Sequence, residues 1–163
     1  LEGGKQMLPF KKILCPTDFS QPSYEALKVA NELALHFSAE LYLVHVLAPI
    51  PVITAATTPM SAGAPTTSFD VVLYEKELKG SAEKKLEEIT DQRLSKELKV
   101  QSFLAYGKAA DEIVRIAEKE KADLIVISTH GETGFRHLIF GSVAEKVARH
   151  AQCPVLTIRA AQK

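Results

Sequence analysis

Short apolar runs of strand length alternate along the chain with longer segments in which apolar residues recur every three or four positions. Runs of four to eight apolar residues closed by Pro or Gly are typical of strands. Because these runs are nearly continuous and rich in β-branched residues, they favour parallel strands buried on both faces. The predicted strands are residues 10–15, 41–47, 100–106, 124–128 and 155–158.

Four segments of helical period separate these strands. Ser20 can cap the first, and Pro22 falls in its opening turn, where the missing N–H of proline costs nothing. The second is predicted over 70–96 and the third over 110–121. The fourth begins at Ser142, with Val143, Val147 and Ala151 on its predicted buried face. The alternation predicts a single doubly wound α/β domain with a five-stranded parallel sheet, helices on both faces and right-handed crossovers.

Two segments depart from this alternation. Residues 49–69 are rich in Pro, Ala, Thr and Gly and show no period. Loops of this length are usually either lids or mobile connections, so we expect a mobile loop, with an ordered lid as the alternative. Residues 1–6 read as a non-native extension before a natural start at Met7, which leaves 7–163 as the domain.

Composition narrows the classes of partner. Twenty Lys and Arg residues balance twenty Asp and Glu residues, so the basic surplus typical of nucleic-acid binders is missing. No apolar run reaches the roughly 18 residues of a membrane span, and no secretory signal pattern opens the chain. We therefore expect a cytoplasmic protein with no nucleic-acid or membrane partner. Cys15 and Cys153 are expected to be buried, reduced thiols.

The candidate chemistry directly follows the first and fourth predicted strands. Ligands of open parallel sheets bind beyond the carboxyl ends of the strands, where the strand order reverses. Residues 16–18 (PTD) follow the first strand, 128–131 (STHG) end the fourth strand, and 141–142 (GS) open the last helix. Glycines and a helix N-terminus can together hold a phosphate. Alternatively, the glycines only make a turn and Ser142 only caps the helix.

These residues also carry a resemblance to a known family. The segment 128–131 (STHG), nine further residues and Gly141-Ser142 closely resemble the nucleotide loop of universal stress proteins, which reads glycine, two residues, glycine, nine residues, glycine, and serine or threonine. Residues 12–20 (KILCPTDFS), His45-Val46 and 153–156 (CPVL) are similar to the same family. The resemblance covers residues 10–159. It implies an adenine-nucleotide alpha-hydrolase-like fold with strand order 3-2-1-4-5 and an ATP-binding stress-response or signalling module.

The resemblance implies a site divided between adenosine and phosphates. Asp18 would lie near the base or ribose, and Val46 would offer backbone groups to adenine. The main-chain N–H groups of Gly131, Gly141, Ser142 and Val143 would hold the phosphates, together with the Ser142 hydroxyl, and Mg²⁺ or Mn²⁺ could bridge the phosphates. The implied cofactor-binding residues are Pro16, Thr17, Asp18, Val46, Ile127, Ser128, His130, Gly131, Gly141, Ser142 and Val143.

One departure from the family pattern leaves alternatives open. Ser128 replaces the first glycine, which lies against the ribose, so its side chain could crowd the sugar or offer it a hydrogen bond. If it blocks the ribose, the protein is a nucleotide-free dimeric interaction module. His130 could instead serve as a general base in a slow ATPase, but no catalytic residue or metal ligand is assigned.

The last strand bears on assembly. Residues 154–159 would form an exposed apolar edge, and such edges are generally paired or covered. The resemblance implies a homodimer in which these edges meet. His45 is expected to pack at the end of its strand rather than to ligate a metal.

Overall fold

The computed structural model describes residues 8–49, 71–130 and 141–159. The predictions for residues 1–6, for nearly all of the 49–69 loop and for Gly131 therefore fall outside the described residues. The strands are β1 (Lys12–Pro16), β2 (Glu40–Leu47), β3 (Val100–Tyr106), β4 (Leu124–Ser128) and β5 (Val155–Ile158), and the helices are α1 (Gln21–Phe37), α2 (Val71–Arg93), α3 (Ala109–Glu120) and α4 (Ser142–His150).

The five strands form one parallel sheet in the order β3-β2-β1-β4-β5. This confirms the predicted fold and strand order. β1 pairs with β2 on one side and with β4 on the other, so the direction of winding reverses between β1 and β4. The carboxyl ends of these two strands form the switch point at which open α/β sheets bind ligands.

Apolar side chains are buried on both faces of the sheet. Alternate β1 residues supply the two cores: Ile13 and Cys15 point to one, and Leu14 points to the other. Helices α1 and α2 cover the first core, which includes Leu27 and Leu86, while α3 and α4 cover the second. The continuous apolar runs of the central strands follow from this two-sided burial.

The observed start of β1 differs from the prediction, because a residue before the strand packs its side chain in the core without joining the hydrogen-bonded ladder. β1 begins at Lys12 rather than Phe10, because the ladder with β2 begins at Lys12 while the Phe10 ring packs on Phe37, with centroids 5.2 Å apart. Val143 is 36% exposed and does not belong to the buried face of α4, contrary to prediction.

Of the helices within the described ranges, none combines the length and apolarity needed to cross a bilayer.

Candidate functional site

A cavity of about 330 Å³ opens at the switch point, on the side of the sheet covered by α3 and α4. Its size lies within the range of small-molecule sites. The residues after β1 and β4, the end of β2 and the first turns of α3 and α4 form its walls. The lining residues are Pro16, Thr17, Asp18, Ser23, Val44, His45, Val46, Ala109, Ile113, Ile127, Ser128, Thr129, His130, Gly141, Ser142, Val143 and Ala144.

The structure brings together in this cavity all of the predicted site residues except Gly131, which is outside the described residues. Sequence reasoning missed the contribution of α3, through Ala109 and Ile113. A signal for them exists, because a right-handed crossover from β3 to β4 carries α3 over the sheet on the same side as α4. Its first turn follows the carboxyl end of β3 and so opens toward the switch point.

The loop after β1 is built around Thr17, which is 5% exposed. The Thr17 N–H donates to the carbonyl oxygen of Val44 at 2.8 Å. Its hydroxyl lies 3.0 Å from the Ser23 hydroxyl and accepts from the Phe19 N–H at 3.0 Å. Because these bonds occupy the hydroxyl, Thr17 shapes the loop rather than presenting its hydroxyl to a ligand.

Asp18 is the exposed member of this loop. One carboxylate oxygen accepts from the Ser20 N–H at 3.1 Å and from the Ser20 hydroxyl. These bonds make an Asx turn that leads into α1, whose N-cap is Ser20, as predicted. The turn fixes the carboxylate at the mouth of the cavity, where it can accept hydrogen bonds from hydroxyl groups of a ligand.

Phe19 adopts a backbone conformation that bulky residues rarely have, with φ of 66°. Such a conformation costs on the order of 1–3 kcal/mol and persists only where surrounding contacts hold it. The Phe19 ring lies 4.2 Å from the His45 ring, with planes 32° apart, and the Lys85 ammonium lies 5.1 Å from its centroid. Contacts from β2 and α2 therefore hold the strained residue in place.

His45 packs at the end of β2, as expected, and also bonds the loop. Its Nδ1 lies 2.8 Å from the Thr17 carbonyl oxygen. Because a carbonyl only accepts, Nδ1 carries the proton and the neutral ring leaves Nε2 as an acceptor. Burial lowers the pKa of His45 below its usual 6.5, and the positive charge of Lys85 acts in the same direction, while the Thr17 bond and Asp18 oppose both. The ring is therefore neutral at pH 7.

The end of β2 presents backbone groups to the cavity. β1 pairs with β2 only as far as Pro16 opposite Val44, and the Thr17 N–H takes the Val44 carbonyl. Alternate residues of a strand direct their backbone groups to the same side, so Val46 directs its N–H and C=O to the β1 side, beyond the last pair. This provides an adjacent donor and acceptor where β1 no longer occupies the sheet.

Gly141 joins the start of α4 to the end of β4. Its N–H donates to the Thr129 carbonyl oxygen at 2.6 Å, and a Cβ at this position would lie 3.1 Å from the same oxygen. Its φ of −72° suits any residue, so the need for glycine comes from this close approach. The bond to Thr129 differs from the expectation that the Gly141 N–H itself holds a phosphate.

Ser142 does not cap α4. The N-cap is Gly141, without a side-chain bond to the helix, and Ser142 is the first helical residue. The alternative in which Ser142 serves only as a cap is therefore wrong. The N–H groups of a first helical turn have no partner within the helix, so those of Ser142 and Val143 lie at the cavity wall with the positive end of the helix dipole.

The end of β4 is braced by its own side chains. The Ser128 hydroxyl donates to the His130 carbonyl oxygen at 2.7 Å, and the Thr129 hydroxyl lies 2.9 Å from His130 Nδ1. The Ser128 hydroxyl is thus directed to the chain rather than to a sugar. Within residues 8–49, 71–130 and 141–159, no cluster of three His, Cys, Asp or Glu side chains is placed to hold a metal ion.

Known proteins match this chain over nearly its whole length. The model described as the Universal stress protein family matches residues 9–159. Universal stress protein MJ0531 of Methanocaldococcus jannaschii is 36% identical over 154 residues, which are 94% of this chain and 85% of that protein. MJ0577 of the same organism is 32% identical over 154 residues, covering 92% of this chain and 95% of that protein.

Solved structures agree with these matches. The structure of MJ0577 superposes with a TM-score of 0.74 at 31% identity, covering 94% of this chain and 99% of the other. UspA from Lactobacillus plantarum gives 0.70 at 24% identity, with 92% and 98% covered, and so shares the fold. The matched region includes both walls of the switch-point cavity.

Proposed function

The chain belongs to the universal stress protein family, and on that premise we propose that it binds ATP in the switch-point cavity and acts as a nucleotide-dependent stress-response and signalling module. One observation carries this proposal. On one side of the cavity is the end of β2, where Val46 lies beyond the last residue that pairs with β1, and on the other is the N-terminus of α4. A base with adjacent donor and acceptor groups, joined to a chain of phosphates, complements both.

The adenosine half of the ligand suits the β2 and β4 ends. Adenine carries an exocyclic amino donor beside ring nitrogen acceptors, which can pair with the C=O and N–H of Val46. Ile127 and Ile113 supply apolar surface for the faces of the base. The Asp18 carboxylate at the cavity mouth suits the ribose hydroxyls, as charge-assisted acceptors bind such donors well.

The phosphate half suits the first turn of α4. The N–H groups of Ser142 and Val143 and the helix dipole favour an anion there, and the Ser142 hydroxyl is available because Gly141 is the cap. A bound Mg²⁺ or Mn²⁺ would neutralise phosphate charge. Such an ion commonly keeps several waters and takes its other ligands from the phosphates, and on this proposal the Ser142 hydroxyl would assist it.

Two fold neighbours have been solved with adenine nucleotides, a universal stress protein in complex with cAMP and one from Archaeoglobus fulgidus in complex with dAMP. At 19% and 22% identity these neighbours share the fold with this chain. The choice of ATP therefore rests on the cavity described above and on the family motif.

We further propose a cytoplasmic homodimer formed through β5. The carbonyls of Pro154 and Ile158 face β4, so the alternating backbone groups of Val155 and Thr157 face away from the sheet. Leu156 is 38% exposed on this strand. A second β5 would pair these outward groups and cover the edge.

Competition between ATP and GTP for a fluorescent ATP analogue tests the proposed function. Guanine presents an acceptor and a donor where adenine presents a donor and an acceptor, so pairing with Val46 would be reversed. We expect ATP to compete at least about tenfold better than GTP, because mispaired buried polar groups are costly. Equal competition by both, or no displacement by ATP, would contradict adenine recognition at β2.

A further inference from the structure

The loop between β1 and α1 needs support from outside itself. Phe19, with φ of 66°, occupies the left-handed region, which its bulky side chain disfavours. The loop's own hydrogen bonds run from Phe19 to Thr17 and from Ser20 to Asp18. These bonds set the local turn. The backbone bond from the Thr17 N–H to the Val44 carbonyl ties the start of the loop to the sheet, and Phe19, two residues further on, needs its own connection to the sheet.

The side chain of His45 makes that connection. Nδ1 donates to the Thr17 carbonyl oxygen at 2.8 Å, and the ring stacks on Phe19 at 4.2 Å. Asp18 lies between the two residues that His45 contacts. His45 lies in β2, and the next residue of the strand, Val46, presents its backbone to the cavity. The ring therefore connects the end of β2 to both Thr17 and Phe19, beside the backbone bond from Thr17 to Val44.

We propose that His45 is a positioning residue that holds the loop of Thr17, Asp18 and Phe19 in its ligand-binding conformation. This inference rests on the proposed function, since it concerns the adenosine half of the same site. On this proposal, His45 orders the loop before the ligand arrives. Ordering it in advance removes a cost that binding would otherwise bear.

Charged groups around the ring are compatible with this role. Asp18 acts on His45 from the loop and Lys85 acts from α2, in opposite directions. Lys85 also lies over the Phe19 ring. A neutral His45 donates through Nδ1 to Thr17 without adding a second positive charge beside Lys85.

Two substitutions distinguish the effect of the His45 hydrogen bond from the effect of the side-chain volume. His45→Leu keeps a comparable volume but cannot donate. His45→Asn places an amide N–H near the position of Nδ1, so it can still donate to Thr17. His36→Leu is the matched control, because His36 is an exposed histidine at the other end of α1.

Hydrogen–deuterium exchange of the nucleotide-free protein measures how firmly the loop is held, and titration with Mg-ATP measures the affinity for the ligand. In His45→Leu we expect the Phe19 and Ser20 amides to exchange about tenfold faster, with the α4 amides unchanged, and the Kd for ATP to rise about five- to tenfold. His45→Asn should remain within about threefold of wild type in both, and His36→Leu should match wild type.

Each contrary outcome has a distinct meaning. Wild-type loop exchange in His45→Leu, or faster exchange throughout the chain, would overturn the positioning role. A loosened loop with unchanged ATP affinity would overturn its link to binding. If His45→Leu does not fold, a change beyond about threefold in His45→Asn is sufficient to overturn it. Absence of ATP binding by the wild type would contradict the proposed function, while exchange would still decide whether His45 holds the loop.

Discussion

Alanine at position 141 would put a methyl group into the closest approach between β4 and α4. Its Cβ would lie 3.1 Å from the Thr129 carbonyl oxygen and 3.8 Å from His130 Cα. The backbone angles of φ −72° and ψ 154° are open to alanine, so backbone strain at position 141 adds nothing to the cost. Either the first turn of α4 shifts by a few tenths of an ångström, or the 2.6 Å bond from Gly141 to Thr129 lengthens.

The size of the effect follows from these contacts. Weakening one backbone hydrogen bond costs about 1 kcal/mol, and alanine is the poorer N-cap by up to about 1 kcal/mol. Alanine also reduces the conformational entropy of the unfolded chain relative to glycine, which stabilises the folded protein by about 0.4–1 kcal/mol. We expect a net loss of about 1 kcal/mol in the free energy of unfolding. Displacement of the Ser142 and Val143 N–H groups should raise the Kd for ATP about five- to tenfold.

Gly80→Ala is the matched control. A Cβ there meets nothing within 4 Å, and Gly80 lies inside α2, so alanine should stabilise the protein by about 0.5–1 kcal/mol and leave ATP binding unchanged. Urea unfolding and calorimetric titration measure both variants. Gly141→Ala with wild-type stability and affinity, or equal loss of affinity in Gly80→Ala, would refute the close-approach argument.

Four further variants test the roles of Ser142, Ser128, β5 and His45. Ser142→Ala should lower ATP affinity about three- to tenfold while the free energy of unfolding stays within about 0.5 kcal/mol, because Ser142 does not cap α4; a large stability loss in urea unfolding would contradict this. Ser128→Gly should not tighten ATP binding more than about twofold by calorimetry, since the Ser128 hydroxyl is directed to the chain; a large gain would show that the serine crowds the ribose. Thr157→Pro removes an outward N–H of β5, so light scattering should show a monomer that remains folded by circular dichroism; a stable dimer would exclude the β5 interface. Because the pKa of His45 is lowered in the folded state, the unfolded state binds more protons below about pH 6.5, so stability falls as pH drops from there through the native pKa. Urea unfolding from about pH 5 to 7.5 should show a smaller fall in His45→Asn, and an identical pH profile would argue against a neutral, buried His45.

The fold was predictable because the apolar runs, the helical periods and the positions of Gly and Pro all indicate the same alternation of strands and helices. The bounds of β3, β4 and β5 match the predictions residue for residue. Gly107 directly follows β3 and Pro154 directly precedes β5, while β4 is apolar because four of its five residues are buried in the sheet. The α2 bounds were less accurate. The observed helix begins within one residue of the prediction, at Val71, but it ends at Arg93 rather than at 96. The buried Leu94 continues the apolar pattern past the last helical residue.

The candidate site was predictable where residues adjoin strand ends and unpredictable where it depends on tertiary approach. Asp18 and Ser128 follow from the topological rule for open sheets. The bond from Gly141 to Thr129, which takes away a predicted phosphate donor, depends on how closely α4 approaches β4. The role of His45 depends on a carbonyl that the sequence does not place. The structure therefore adds the hydrogen bonds between residues that are distant in the chain, which the sequence pattern does not predict.

Calorimetric titration of Mg-ATP into nucleotide-free protein, beside Gly141→Val, decides whether the switch-point cavity binds ATP. We expect saturable binding by the wild type with one ATP per chain. We expect Gly141→Val to lose that binding, because the branched side chain would meet the Thr129 carbonyl and displace the first turn of α4. No heat of binding with the wild type, or undiminished affinity in Gly141→Val, would contradict ATP binding at the switch point.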